Sequence, residues 1–77
     1  MNSARRKQIA ELIAQIEPFQ DLISEVLSEE QEAFDSMPEG FQQGSRGEAA
    51  QAAIDSMEAA MDGINTSVDE LNSAMAA

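Results

Sequence analysis

SMPEGFQQGSRGE, residues 36–48, separates two long runs of helical periodicity that are nearly equal in length. The segment contains Pro38 and three of the four glycines of the chain. Proline and glycine are the residues that most often interrupt helices, so we interpret this segment as the bend of a helical hairpin. The chain is therefore expected to be all-α and to fold as an antiparallel, coiled-coil-like hairpin.

The bend sets the expected organisation of residues 1–77 as one helical-hairpin domain. We predict a first helix over about residues 3–35, a bend over 36–46 and a second helix over about 46–75. Within the bend, Gly44 is expected in the left-handed conformation that glycine adopts without strain. Ser45 and Glu48 have the S-x-x-E spacing of a capping box, which predicts a helix start at Ser45.

The composition limits the means by which so short a chain is stabilised. A core built from 77 residues is small, and the sequence has no cysteine for a disulfide and no histidine for an ordinary zinc site. We therefore expect no metal or cofactor, and we expect a homo-oligomer. No apolar run approaches the roughly 20 residues of a membrane span, and residues 1–7 do not precede a signal-peptide core, so we expect a cytoplasmic protein.

The charge of the chain argues against several classes of partner. Fifteen acidic residues and four basic residues give a net charge of −11. Such a chain repels nucleic acids and anionic lipids, so direct binding to DNA, RNA or a membrane surface is not expected.

The first helical run has an apolar stripe whose steps alternate between three and four residues, the spacing of a heptad repeat. The stripe contains Ile9, Leu12, Ile16, Phe19, Ile23, Val26, Ala33 and Met37, and it is widened on one side by Ile13, Leu27 and Phe34. The broadest apolar patch contains Leu22, Ile23, Val26 and Leu27. We interpret this patch as the subunit contact, and a wide intramolecular core is the alternative.

Pro18 lies within the first helical run, although proline in a helix interior costs roughly 3 kcal/mol. The heptad spacing continues through it and places Pro18 on the outer side. We predict a continuous, kinked helix, and two helices broken at Glu17 are the alternative.

The second helical run repeats the heptad spacing. Its apolar stripe contains Ile54, Met57, Met61, Ile64, Val68, Leu71 and Met75, and small residues recur beside it at Ala53, Ala60, Ser67 and Ala74. Small side chains allow another helix to approach closely. Ala53 and Ala60 are therefore further candidates for the subunit contact, and two hairpins are expected to pair into a four-helix bundle.

Catalysis is not expected. The chain has no histidine, cysteine or tyrosine, and its single lysine, Lys7, lies near the N-terminus, so no side chain is available to activate a nucleophile. Adjacent carboxylates such as Glu29 and Glu30 diverge on a helix and do not form an acid–base pair.

Three binding functions remain open. The helix faces or the bend bind a protein, the bend binds a small phosphorylated or nucleotide ligand at the start of the second helix, or the acidic rows mimic DNA and inhibit a nucleic-acid-binding protein. Phe41 is expected either to cover the open end of the hairpin or to contact a partner. The candidate binding residues of the bend are Phe41, Gln42, Gln43, Ser45, Arg46 and Gly47.

Residues 29–48, EEQEAFDSMPEGFQQGSRGE, resemble a group of short, acidic, helical proteins of bacteriophage and prophage genomes. In that group, a similar E-E-Q-x-A-F-D-x-x-P-E block is followed by an arginine–glycine turn and a second amphipathic helix. The resemblance supplies no catalytic residues. It implies a viral accessory factor that binds and blocks a host component or sequesters a host signal, with a counter-defence role, in the host cytoplasm.

Overall fold

The computed structural model describes residues 1–77, and it is built from helices alone. Helix α1 spans Ser3–Asp35, helix α2 spans Glu39–Gln42 and helix α3 spans Ser45–Ala76. Helices α1 and α3 pack against each other and α2 packs on α3, which gives a rod with extents of 58 × 16 × 12 Å. The predicted all-α hairpin is confirmed.

Helix α1 is continuous through Pro18, so the alternative of two helices broken at Glu17 is wrong. Pro18 is exposed, as its place on the outer side of the heptad requires, and no packing contact of the hairpin depends on it. At its start, α1 is capped by Asn2, whose Oδ1 atom accepts a hydrogen bond of 2.8 Å from the backbone N–H of Arg5. This side-chain cap satisfies one of the N–H groups that lack a partner within the helix.

The apolar stripe of α3 packs against α1 as predicted. Ile54 is 1% exposed and is the most completely buried large side chain of the chain. The other six members of the stripe are half-buried: Met57, Met61, Ile64, Val68, Leu71 and Met75. The heptad spacing of α3 is therefore confirmed.

The stripe predicted for α1 is only half correct. Ile9, Ile16 and Ile23 face α3, but the residues that alternate with them at the contact are Ile13, Gln20 and Leu27, followed by Phe34. The predicted members that are exposed instead are Leu12, Phe19, Val26 and Ala33. Both choices have the same alternation of three and four, so the spacing within α1 cannot distinguish them.

The bend decides which stripe of α1 faces α3. The Nε2 atom of Gln42 donates a hydrogen bond of 3.0 Å to the carbonyl oxygen of Phe34, which is half-buried. This bond holds α2, and with it the start of α3, on the Phe34 side of α1. The stripe that continues from Phe34 through Leu27 and Ile13 is consequently the one that α3 covers.

The start of α3 differs from the predicted capping box. Gly44 is the N-cap residue, with φ −91° and ψ −171°, so the expected left-handed conformation is wrong. Ser45 is the first helical residue, and the backbone N–H of Glu48 donates to the carbonyl oxygen of Gly44. The N-cap of α3 makes no side-chain hydrogen bond.

Three long-range hydrogen bonds, donated by two residues of α1, fix the register of the hairpin. Arg6 donates from Nε to the carbonyl oxygen of Met75 at 2.9 Å and from Nη2 to that of Ala77 at 3.2 Å. Gln20 donates from Nε2 to Oδ1 of Asn65 at 2.7 Å. The arginine thus stabilises the negative end of the α3 dipole through its last carbonyl groups.

Candidate binding surfaces

The antiparallel hairpin has two flat sides, and the heptad positions determine which residues share a side. In a pair of antiparallel helices, the residues that precede a contact residue by one position lie on one side of the pair, whichever helix they belong to. The residues that follow a contact residue by one position lie on the opposite side of the pair. The contact residues that define the two sides are Ile13 and Leu27 in α1 and Ile54 and Met61 in α3. They assign the neighbouring positions of both helices to one side or the other.

The first side, which we call the apolar face, combines large side chains from α1 with small ones from α3. From α1 it presents Leu12, Phe19, Leu22 and Val26, which are 49%, 57%, 54% and 53% exposed. From α3 it presents Ala49, Ala53, Ser56, Ala60, Gly63 and Ser67, all exposed. The Oγ atom of Ser67 donates to the carbonyl oxygen of Gly63 at 2.9 Å, so this hydroxyl needs no further acceptor.

The opposite side, which we call the acidic face, carries most of the negative charge. Eight of the 15 acidic residues lie on it: Glu17, Asp21, Asp35, Glu48, Asp55, Glu58, Asp62 and Asp69. Two acidic residues, Glu29 and Glu70, lie on the side of the apolar face. Along α3 the carboxylates recur every seven residues, which is about 10.5 Å at 1.5 Å per residue.

Short-range hydrogen bonds on the acidic face hold two of its carboxylates. Gln31 donates from Nε2 to Oδ1 of Asp35 at 3.0 Å, and Gln51 donates from Nε2 to Oδ1 of Asp55 at 2.9 Å. Each pair is four residues apart on one helix, the spacing at which side chains meet. The amide groups therefore order these carboxylates and leave them exposed to solvent.

The candidate residues of the bend divide into exposed and structural ones. Phe41 is 55% exposed, so the expectation that it covers the open end of the hairpin is wrong. Gln43, Ser45 and Arg46 are also exposed. Gln42 is half-buried, and its Nε2 atom donates a hydrogen bond to the carbonyl oxygen of Phe34. No cavity that encloses a small molecule lies in this region or elsewhere on the chain.

Gly47 has a packing role in the bend. It is buried, and a Cβ atom at this position would overlap the backbone of Gln42. A residue without a side chain is therefore needed for α3 to pass close to α2. This contact accounts for the glycine in the Gly-Ser-Arg-Gly segment without reference to a ligand.

The candidate residues of the subunit contact fall into two groups. Leu22, Val26, Ala53 and Ala60 lie together on the apolar face and are exposed. Ile23 and Leu27 are half-buried on the stripe of α1 that faces α3. Leu12, Phe19 and Val26 belong to the predicted stripe of α1 but are exposed. The sequence signal for this exposed surface is that α1 contains two apolar stripes with heptad spacing.

Other kinds of site have no counterpart in the structure. No group of three or more acidic side chains converges closely enough to hold a metal ion. Neither long helix contains an apolar stretch that could cross a membrane. Comparison with protein-family models, with curated proteins and with solved structures finds no significant match.

Proposed function

We propose that this chain is a binding protein without catalytic activity, in which hairpins pair into a four-helix bundle and the exposed acidic face occupies a basic surface on another protein. The observation that carries the proposal is the segregation of charge. Eight acidic residues share one side of the hairpin, while the opposite side is largely apolar. A field of one sign along a rod steers and selects partners of the opposite sign.

The dimensions of the acidic face favour an extended partner surface. The rod is 58 Å long, and the carboxylates of α3 run along about 32 Å of it, from Glu48 to Asp69. A small ion or metabolite would contact only one or two of them. A protein whose basic groove normally holds a nucleic acid has the matching length and charge, so inhibition of a nucleic-acid-binding protein is the form of blocking that this face fits best.

The proposal extends to the biological setting that the resemblance of residues 29–48 to short phage proteins implies. An accessory factor of a phage would act on a host protein in the host cytoplasm, and occupying the nucleic-acid-binding groove of a defence protein would be one way to inhibit it. Binding a small phosphorylated ligand at the bend stays a prediction without further support, because the packing of Gly47 already explains that segment.

The experiment is a competition assay with purified DNA-binding proteins that have basic surfaces. The chain is expected to displace duplex DNA from at least one of them, and its affinity for that protein, measured without DNA, should fall steeply as the salt concentration rises. Replacing Asp55→Asn, Asp62→Asn and Asp69→Asn together should abolish the competition.

A matched control removes the same charge from another surface. Glu11→Gln, Glu25→Gln and Glu32→Gln together neutralise three exposed carboxylates on the outer side of α1 and should leave most of the competition intact. The proposal fails if DNA is displaced from no basic protein, if the chain's affinity measured without DNA is insensitive to salt, or if the two triple variants behave alike.

A further inference from the structure

The fold leaves the apolar face uncovered, and the surface area of the chain indicates how much area a partner would bury. The hairpin exposes 5394 Å², with only four of 77 residues buried. A compact monomer of 8.3 kDa would expose about 4,600 Å². The difference of about 800 Å² equals the area that one partner contributes to a stable protein–protein interface.

The register of the hairpin makes the apolar face complementary to itself. In an antiparallel pair, each step forward along α1 corresponds to one step backward along α3. From the Arg6–Met75 hydrogen bond, Phe19 is therefore level with Asp62, and from the Gln20–Asn65 bond it is level with Thr66. The residue of the apolar face between these two limits is Gly63. The largest exposed side chain of α1 therefore lies at the height of the smallest residue of α3.

The same register applies to the two neighbouring large residues. Leu22 is level with Ala60, and Val26 is level with Ser56, each within one helical turn. Within one hairpin these residues lie side by side on the same face. When two such faces meet, Phe19, Leu22 and Val26 can each be placed against a small residue of α3 from the other copy, whereas Leu12 is level with Glu70.

No close contact within a single chain requires glycine at position 63. A Cβ atom there would meet nothing within 4 Å, and glycine in a helix interior costs about 1 kcal/mol relative to alanine. By contrast, Gly47 is required by its contact with Gln42. A side chain from outside the hairpin would account for the glycine at position 63.

We propose that a second copy of this chain covers the apolar face, with a twofold axis parallel to the helices. In this arrangement the two bends lie at the same end, and α1 of each copy packs antiparallel on α3 of the other. Phe19 of one copy lies over Gly63 of the other, and Leu22 lies over Ala60. The inference rests on the assembly included in the proposed function, and it specifies the contact.

The alternative twofold axis is less suitable. An axis perpendicular to the helices would place α1 on α1 and α3 on α3, so large side chains would oppose large ones along one side and small ones would oppose small ones along the other. Close packing would then fail along the α3 side. In the proposed arrangement the two acidic faces also point outward on opposite sides of the bundle, where their repulsion is screened by solvent and salt.

The first test is the oligomeric state of the full chain by sedimentation velocity over a range of concentrations. A dimer is expected. Val26→Asp, which adds a charge to the apolar face, should raise the dimer dissociation constant more than about tenfold. Ser24→Asp adds the same charge on the opposite side and should leave the dissociation constant within about threefold.

Several outcomes of this test would overturn the inference. They are a monomer at all concentrations, an assembly of another order, or a dimer that tolerates Val26→Asp. Because Val26 is exposed, circular dichroism of both variants should show unchanged helicity in the monomer. Ile23→Glu is unsuitable as a test, since Ile23 faces α3 and its replacement would disrupt the hairpin itself.

The second test determines the arrangement through disulfide formation, since the chain contains no cysteine. A tagged Leu22→Cys variant is mixed with an untagged Ala60→Cys variant and oxidised. The proposed dimer predicts a cross-link between the two variants and little cross-linking of Leu22→Cys with itself. Equal or preferential self-linkage of Leu22→Cys would overturn the arrangement. Ser24→Cys mixed with Glu58→Cys, on the acidic face, is the control that should not cross-link.

The third test concerns Gly63 alone. Gly63→Ala should weaken the dimer more than about tenfold, because the added methyl group occupies the position proposed for Phe19 of the second copy. Gly40→Ala, at another glycine whose added Cβ would meet nothing within 4 Å, is the matched control. A dimer strengthened or unchanged by Gly63→Ala would contradict the contact. A failed dimer test with intact competition for DNA-binding proteins would overturn this inference and leave the proposed binding function standing.

Discussion

Helix α1 and helix α3 are of similar length, 33 and 32 residues, but they distribute their large apolar side chains differently. Helix α3 has one stripe, which packs on α1, and the residues beside it are small or polar. Helix α1 has two neighbouring stripes and buries only one of them. A helix with one apolar stripe needs one partner helix, whereas α1 has apolar surface for two.

The largest expected difference between the helices is the effect of truncating a side chain on each one. Ile54→Ala in α3 should lower the free energy of unfolding by about 2–5 kcal/mol, because it creates a cavity at the most completely buried large side chain. Val26→Ala in α1 should change it by less than about 0.5 kcal/mol in the monomer. Urea unfolding followed by circular dichroism at low protein concentration measures both. Equal losses would mean that α1 has no unburied stripe.

A smaller effect distinguishes the two glycines of α3. Gly47→Ala should destabilise the hairpin by about 1–3 kcal/mol, because the new methyl group overlaps the backbone of Gln42 and the bend must shift. Gly63→Ala should stabilise the monomer by about 0.5–1 kcal/mol, because its position is open and alanine favours the helix. Thermal unfolding of dilute protein tests the opposite signs. A loss of stability at both positions would show that Gly63 also has a contact within the chain.

Gln20 provides a test of the buried stripe of α1. It is half-buried between apolar neighbours and is held by Asn65. Gln20→Leu should raise the free energy of unfolding by about 1 kcal/mol, since apolar surface replaces an amide at the contact. The same change should loosen the register, because a polar residue at a core position helps to select one alignment. Chemical-shift dispersion of the amide signals measures the second effect, and a destabilised Gln20→Leu variant would indicate that the hydrogen bond outweighs the apolar contact.

The smallest expected effects come from the two helix starts. Asn2 caps α1 with its side chain, so Asn2→Ala should cost about 1 kcal/mol. Gly44 begins α3 without a side-chain cap, and Gly44→Asn should add a few tenths of a kcal/mol. Thermal unfolding curves of the two variants give both values. No gain from Gly44→Asn would mean that the first N–H groups of α3 are already satisfied by solvent.

The ends of the two long helices are predictable from the sequence, whereas the details of the bend are not. The cluster of glycine and proline in residues 36–48 favours an end to each long helix there, because both residue types disfavour helix propagation, although Pro18 alone does not interrupt α1 and Gly63 alone does not interrupt α3. The structure places α1 at Ser3–Asp35 and starts α3 at Ser45, close to the bounds expected from the pattern. The capping details differ, because Gly44 adopts an ordinary extended conformation that depends on how α2 packs on α3.

The candidate surfaces were only partly predictable. Leu22, Val26, Ala53 and Ala60 are predicted residues of the subunit contact, and the structure brings all four onto one exposed face, although the sequence pattern also places Val26 in the stripe expected to face α3. Leu12 and Phe19 were assigned to the core, because a stripe through them has the same spacing as the stripe through Ile13 and Leu27. Local periodicity measures the angle between residues of one helix and contains no information about the direction of its partner.

The sequence by itself determined the number of long helices, their approximate ends, the single stripe of α3 and the acidity of the chain. Each of these follows from local propensity or from composition, which act over a few residues. The tertiary structure decided which stripe of α1 is buried, that Phe41 is exposed, and that the acidic and apolar residues form opposite faces. Those features depend on the direction in which α3 returns along α1, and that direction is set by contacts of the bend, such as the Gln42–Phe34 hydrogen bond.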